Sequence, residues 1–229
     1  MLIDTHFHLD HFRNHFEIYK EINNLRQKTL CVTNTPYIYN AIKQLYKETK
    51  YIKFAIGFHP METINSAMFE AFKQHLDKSR YIGEIGLDYS KYSTTPREKQ
   101  LYYFERIVKI CSKLNKVMSI HSRNAESDVV DIVERYKPKR AIIHWYTGNE
   151  INLERLISLG CYFSVNSSMM KDKYQMIPIN RVLIETDAPY EIKNYRPERL
   201  IEVYNKIEKF YQIPNLELVV ENNFQDLIS

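Results

Sequence analysis

Six side chains in this sequence have the type and spacing to do chemistry together: His6, His8, Glu84, His121, His144 and Asp187. His6 and His8 close the apolar run Leu2–His8, which reads as a strand. Residues two apart in a strand share a face, so both imidazoles enter the same space. Glu84 lies within Tyr81-Ile82-Gly83-Glu84-Ile85-Gly86-Leu87-Asp88, where a carboxylate without a partner or a cation is costly. His121 and His144 each end an apolar run, and Asp187 follows another, just before Ala188-Pro189. Imidazole nitrogen and carboxylate oxygen are ordinary ligands of divalent metals, and a carboxylate can also accept a proton. Taken singly, each residue has a structural alternative. A His-x-His pair recurs by chance, a lone His121 or His144 suits a hydrogen-bonded core or loop, and Asp187 suits a turn or helix cap. The six together, at or near the carboxyl ends of five runs, point to a metal centre. The remaining histidines are less telling. His59, in Gly57-Phe58-His59-Pro60, fits a substrate contact and a Pro-linked turn equally well. The helix-like spacing of His8, His11 and His15 is read as incidental, and His75 as a surface residue within a helix. Gly83-x-x-Gly86 lacks the Lys-Ser/Thr and the helix of a phosphate loop.

Such convergence requires elements that carry strand ends to one place. Eight short apolar runs qualify as strands: Leu2–His8, Thr29–Thr33, Tyr51–Gly57, Tyr81–Gly86, Val117–His121, Arg140–His144, Cys161–Val165 and Arg181–Glu185. Continuous apolarity is the pattern of parallel strands buried on both faces. Helical segments lie between them. Thr95–Asn115 opens with Thr95 as N-cap, Pro96 in the first turn and Glu98 completing a capping box, and its stripe runs Leu101, Phe104, Val108, Cys111. Thr35-Pro36 opens another helix, and Gly148-Asn149 a third that stops at Gly160. Helix after strand, eight times over, predicts an α/β fold: one domain over residues 1–229, a (β/α)8 TIM-type barrel, with an open doubly wound sheet as the competitor. Barrel active sites form at the carboxyl ends of the strands, where the six residues fall.

Composition agrees and excludes several classes. With 229 residues, 44% hydrophobic and 26% charged, the chain can bury a substantial core. Five glycines and eight prolines exclude a collagen-like or low-complexity chain. Cys31, Cys111 and Cys161 form no C-x-x-C, so neither a disulfide framework nor a thiolate zinc site is expected. No signal peptide and no membrane span is legible, and the expected location is cytoplasmic. A net charge of +4 permits a polyanionic partner without demanding one.

Ile3-Asp4-Thr5-His6-Phe7-His8-Leu9-Asp10, Gly83-Glu84-Ile85-Gly86-Leu87-Asp88-Tyr89, Ile120-His121-Ser122-Arg123, His144 with Thr147-Gly148, and Glu185-Thr186-Asp187-Ala188-Pro189-Tyr190 occur in this order along nearly the whole chain. Together they resemble the TatD family of metal-dependent deoxyribonucleases in the amidohydrolase superfamily. The resemblance implies a (β/α)8 barrel with two divalent ions, Mg²⁺, Mn²⁺ or Zn²⁺. His6, His8, Glu84 and Asp187 would hold one, and Glu84, His121 and His144 the other, with Glu84 bridging. Asp187 would also take a proton from the attacking water. Ser122 and Arg123 are placed to bind phosphate, Arg123 in bidentate fashion. The implied substrate is DNA, cut as a 3′ exonuclease on single strands or ends. The same centre would equally suit amidohydrolase-type ester or amide cleavage, such as deacylation of a mischarged transfer RNA. A third reading is a nucleic-acid-processing component of an anti-phage assembly, with protein partners unidentified. The chain departs from the family at Trp145-Tyr146, where members usually carry Cys and Phe; the larger rings would narrow the pocket or stack on a base. The segments before the last strand and after Tyr190 are short, and Lys171, Lys173, Lys193 and Arg196 near them are candidate phosphate contacts.

Overall fold

The computed structural model describes residues 1–192 and 194–229; Lys193 lies outside the described residues. The strands are β1 (Ile3–Phe7), β2 (Lys28–Cys31), β3 (Ile52–Phe54), β4 (Ile56–Phe58), β5 (Tyr81–Asp88), β6 (Val117–Arg123), β7 (Ala141–His144), β8 (Tyr162–Val165) and β9 (Val182–Ile184). Between and after them run α1 (His15–Asn24), α2 (Pro36–Leu45), α3 (Ser66–Leu76), α4 (Arg97–Lys113), α5 (Glu126–Tyr136), α6 (Glu150–Ser158), α7 (Leu200–Tyr211) and α8 (Leu216–Ile228). The described strand pairs are parallel and follow sequence order, β1-β2-β3 in one sheet and β4 through β9 in the other. This is the TIM-type α/β architecture, with strands buried on both faces as their unbroken apolarity requires.

The run expected as a single third strand is split at Ala55 into β3 and β4, so nine strands stand among the described residues where eight were expected. The cause lies in the neighbouring Thr33. Its hydroxyl donates to the Ala55 carbonyl (2.9 Å) and accepts from the Gly57 amide (3.1 Å), replacing ladder bonds there. A Cβ on Gly57 would sit 1.5 Å from the Thr33 carbonyl oxygen, so only glycine permits the approach. Individual bonds bridge the two sheets. The Glu84 amide donates to the Thr33 carbonyl (2.9 Å) and the Thr33 amide to the Gly83 carbonyl (3.1 Å). At the other junction the Asp187 amide donates to the His6 carbonyl (3.0 Å), and the His8 amide to that of Ala188 (3.1 Å). Asp4 reinforces this junction from a buried position, accepting from the Thr186 amide (3.1 Å) and hydroxyl (2.6 Å).

Of the three helix starts expected from sequence, two follow their caps and one does not. Thr35 accepts from the Ile38 amide (3.1 Å) ahead of Pro36, Asn149 accepts from that of Asn152 (2.9 Å), and Gly160 takes φ +77° after α6. Thr95, however, does not cap α4. The helix begins at Arg97 behind an extended Pro96 (ψ 141°), and the Thr95 hydroxyl is spent on the Glu62 carbonyl at 2.8 Å. The α4 stripe faces inward as expected at Phe104, Val108 and Cys111, with Leu101 only partly covered. All three cysteines are free and buried, and burial pushes the Cys111 and Cys161 thiols up to about 12. Among the described residues, no helix is long and apolar enough to cross a membrane.

Candidate metal centre

His6 comes from β1, His8 follows it directly, Glu84 sits within β5, His121 in β6, His144 ends β7 and Asp187 follows β9. The fold brings all six to one point. His6 Nε2 and His8 Nε2 both stand 3.4 Å from Glu84 Oε2, and 3.7 and 3.4 Å from Asp187 Oδ1. On the other side of the same carboxylate, Glu84 Oε1 lies 2.8 Å from His121 Nδ1 and 3.0 Å from His144 Nε2. Glu84 Oε2 thus faces His6 and His8, and Oε1 faces His121 and His144 with His59 beside them at 3.3 Å. The rings are crowded as well: His6 Nε2 and His8 Nε2 are 3.3 Å apart, and His121 Nδ1 and His144 Nε2 3.4 Å. Two residues reach the site through left-handed backbone, Trp145 (φ 38°) and Asp187 (φ 45°), a conformation that costs side chains bearing a Cβ and persists where surrounding contacts enforce it. Gly86 keeps β5 close to β6, since a Cβ there would meet the His121 carbonyl oxygen at 2.0 Å.

Electrostatics follow from burial and mutual charge. Burial works against a charged His8, yet the Asp187 and Glu84 carboxylates, each 3.4 Å from its Nε2, outweigh it and push its pKa up to about 10. His144 and His121 are likewise raised against the pull of burial, His144 by Glu185 and Glu84, His121 by Asp88 and Glu84. His6 is lowered, by burial first and then by the neighbouring His144. Glu84 stays well below the usual carboxylate range despite burial because the imidazoles surround it, and Asp187 is lowered by His8, His6 and His144.

The residues fit a divalent cation. Four imidazoles and two carboxylates are a nitrogen–oxygen donor set of the kind that borderline and hard divalent ions take. Ligand-type atoms of His6, His8 and Asp187, of His6, Glu84 and His144, and of His59, Glu84 and His121 lie within 4.8 Å of one another in each group. Asp187 Oδ1 is buried without a hydrogen-bond partner among the described residues, and such an orphaned oxygen suits a cation.

A cavity of about 830 Å³ opens over this cluster. Its wall includes Ser122, Arg123, His59 and Trp145, the four residues expected at the substrate. The Ser122 hydroxyl is buried with no partner among the described residues, Arg123 is exposed, and Trp145 is half-buried. His59 serves both readings: Nδ1 accepts from the Met61 amide (3.2 Å) in the turn, while Nε2 points at Glu84 Oε1 (3.3 Å). Tyr146 does not reach substrate. It is fully buried and donates to the Asn149 carbonyl at 2.6 Å, so of the ring pair only Trp145 faces the cavity. Lys173 is occupied by the Gly148 carbonyl (2.6 Å), and Lys171 and Arg196 are exposed away from the cavity wall. Of the incidental histidines, His75 is half-buried in the last turn of α3 against Tyr39. His11 approaches the site, its Nδ1 2.6 Å from the Tyr190 hydroxyl and its ring stacked on His8.

Sequence reading missed the residues behind the histidines. Asp88 Oδ2 lies 3.0 Å from His121 Nε2, Glu185 Oε2 lies 3.3 Å from His144 Nδ1, and Ser119 Oγ lies 2.8 Å from His6 Nδ1. The signal for both acids was the one that exposed Glu84, a carboxylate in an apolar strand context.

A TIM-type α/β fold with clustered imidazoles and carboxylates at its strand ends defines the metal-dependent hydrolase class. Within that class, the chain belongs to the TatD family: the model of TatD related DNases matches residues 3–229. An uncharacterized metal-dependent hydrolase of Buchnera aphidicola is 30% identical across the whole of this chain and 99% of its own length. A deoxyribonuclease Tat-D of Schizosaccharomyces pombe is 36% identical over 117 residues, 48% of this chain and 38% of its own length. Among solved structures, a TatD homolog from Escherichia coli K12 superposes with a TM-score of 0.87 at 22% identity, covering 99% of this chain and 97% of that one.

Proposed function

We propose that this metal-dependent hydrolase is a deoxyribonuclease that removes nucleotides from the 3′ end of single-stranded or frayed DNA. The observation that carries the reading is the convergence of four imidazoles and two carboxylates beneath a cavity whose wall bears Ser122 and Arg123. His6, His8, Glu84 and Asp187 would hold one divalent cation and Glu84, His121 and His144 a second. When bound, such a pair supplies an activated water and neutralises charge on the phosphodiester oxygens. The chain's own residues do the rest. Arg123 and Ser122 donate to the scissile phosphate and set it in line for attack. The Asp187 carboxylate, beside the cation it would help to hold, accepts the proton that the attacking water loses. The bond from phosphorus to the penultimate nucleotide's 3′ oxygen then breaks, that oxygen takes up a proton as the new 3′ hydroxyl, and the terminal residue leaves as a 5′-mononucleotide. Trp145 offers a ring on which a terminal base can stack, an interaction tolerant of sequence.

Oligonucleotides labelled at either end, incubated with Mg²⁺ or Mn²⁺, test the reading. A ladder growing from the 3′ end is expected. Intact DNA together with hydrolysis of an ester or an aminoacyl-tRNA would overturn it in favour of amidohydrolase-type chemistry. Glu84→Ala removes the carboxylate shared by both histidine pairs, so metal occupancy by elemental analysis and cleavage should fall together, cleavage by at least ~100-fold. Full activity in that variant would contradict the mechanism.

A further inference from the structure

The two histidine pairs facing Glu84 are backed differently. His121 and His144 present opposite nitrogens inward. His121 turns Nδ1 to Glu84 Oε1 (2.8 Å) and Nε2 to Asp88 Oδ2 (3.0 Å), whereas His144 turns Nε2 to Glu84 Oε1 (3.0 Å) and Nδ1 to Glu185 Oε2 (3.3 Å). Each ring is thus held between Glu84 and one further acid, and the two further acids come from different strands, the end of β5 and the residue after β9. Both are fully buried. Neither acid is a chance neighbour, because each is itself fixed. Asp88 Oδ1 accepts from the Ser90 amide (2.8 Å), and the Asp88 backbone is clasped by the Gln100 amide group of α4 through two 2.8 Å bonds. Glu185 accepts from the Ser164 hydroxyl and from Asn166 Nδ2 (3.0 Å).

An ionised carboxylate only accepts, so the ring nitrogen that faces it must carry the hydrogen. In a neutral imidazole the other nitrogen then carries the lone pair. Applied to both rings, this rule leaves the lone pairs of His121 Nδ1 and His144 Nε2 confronting each other at 3.4 Å beside Glu84, an arrangement that a cation between them would satisfy. The His6–His8 pair has no such backing. His6 Nδ1 meets the Ser119 hydroxyl, which can donate or accept, and His8 Nδ1 is without a hydrogen-bond partner among the described residues.

We infer that Asp88 and Glu185 are positioning residues, each claiming the N–H of its histidine so that His121 and His144 offer opposite nitrogens to one cation. The inference rests on the metal-centre reading above. Outer carboxylates of this kind typically govern metal affinity by ten- to a hundredfold.

The test uses the full chain stripped of metal by chelation. Titration with Mn²⁺ and Zn²⁺ in a calorimeter should give dissociation constants ten- to a hundredfold weaker for Asp88→Asn and for Glu185→Gln than for wild type. Circular dichroism should show both variants folded; if Glu185→Gln fails to fold, Glu185→Asp keeps the charge while withdrawing it from the ring, and should also weaken binding. Nitrogen-15 NMR of the Zn²⁺-loaded wild type should place protons on His121 Nε2 and His144 Nδ1, and Ser119→Ala should leave that pattern intact. Reversed tautomers in the loaded wild type, or affinities within twofold of wild type in folded variants, overturn the inference. A wild type that takes up neither cation overturns the metal centre itself, and the positioning role with it.

Discussion

At the centre, a side chain's protonation is governed by what faces it, and this has a measurable consequence. His8 is pushed up to about 10 by Asp187 and Glu84, and His121 and His144 are raised in the same direction. Below about 10 a metal-free His8 carries a proton that pairs with the carboxylates, and His121 and His144 hold theirs beyond the usual imidazole range; a cation needs the nitrogen lone pairs, so binding must expel these protons. Raising the pH toward 10 therefore strengthens cation binding, and lowering it weakens binding. Calorimetric titration with Mn²⁺ near neutrality, in two buffers of different ionisation enthalpy, should report release of at least roughly one proton per ion bound. Equal heats in the two buffers would contradict the arrangement. The six residues at the centre were legible because ligand types recur at the ends of apolar runs, a pattern that needs no coordinates. Asp88 and Glu185 were not legible as partners of His121 and His144. Their role depends on which edge of each imidazole faces outward, and that is set by packing between strands far apart in sequence.

Among the elements, caps show where local chemistry predicts structure and where a tertiary contact overrides it. Thr35-Pro36 and Thr95-Pro96 look alike in sequence, yet only Thr35 accepts an amide of its helix, from Ile38 at 3.1 Å. The Thr95 hydroxyl donates to the Glu62 carbonyl instead, and its own carbonyl accepts from Gln100 Nε2 at 2.9 Å. Thr95 therefore ties the loop after β4 to the start of α4, beside Asp88. Thr35→Ala should cost about 1 kcal/mol of stability, read by chemical denaturation, through loss of a helix cap. Thr95→Ser keeps the hydroxyl and should be nearly neutral, whereas Thr95→Val leaves the half-buried Glu62 carbonyl with only the Ile64 amide (2.8 Å) and should cost about 1 kcal/mol. A Thr95→Val protein as stable as wild type would show the contact to be idle. The split of the third strand was hidden for a related reason. Tyr51–Gly57 is apolar but for Lys53, and the Thr33 hydroxyl, reaching Ala55 and Gly57 from just past the end of β2, interrupts its ladder.

For the whole molecule, the centre lies where the chain must join itself. Its six residues come from β1, β5, β6, β7 and the segments after β1 and β9, and the junction between the first and last strands is carried by bonds such as Asp187 amide to His6 carbonyl (3.0 Å), themselves made by candidate ligands. Alternation of strand and helix made the architecture readable, but how the two sheets meet was not, since it rests on individual hydrogen bonds between residues 50–51 or 180–181 positions apart. A cation gripped from both ends of the chain binds the folded state and has no comparable site in the unfolded one, so it stabilises by mass action: about 2.7 kcal/mol at a hundredfold excess over its dissociation constant. At roughly 2–4 °C per kcal/mol for a chain of this size, the melting temperature should rise by about 5–10 °C on adding Mn²⁺ to chelator-treated protein. Glu84→Ala should abolish that rise, because it removes the carboxylate facing both histidine pairs. If the metal-free and Mn²⁺-saturated wild types melt together, the ion contributes nothing to closing the fold, and the centre would have to be rigid without it.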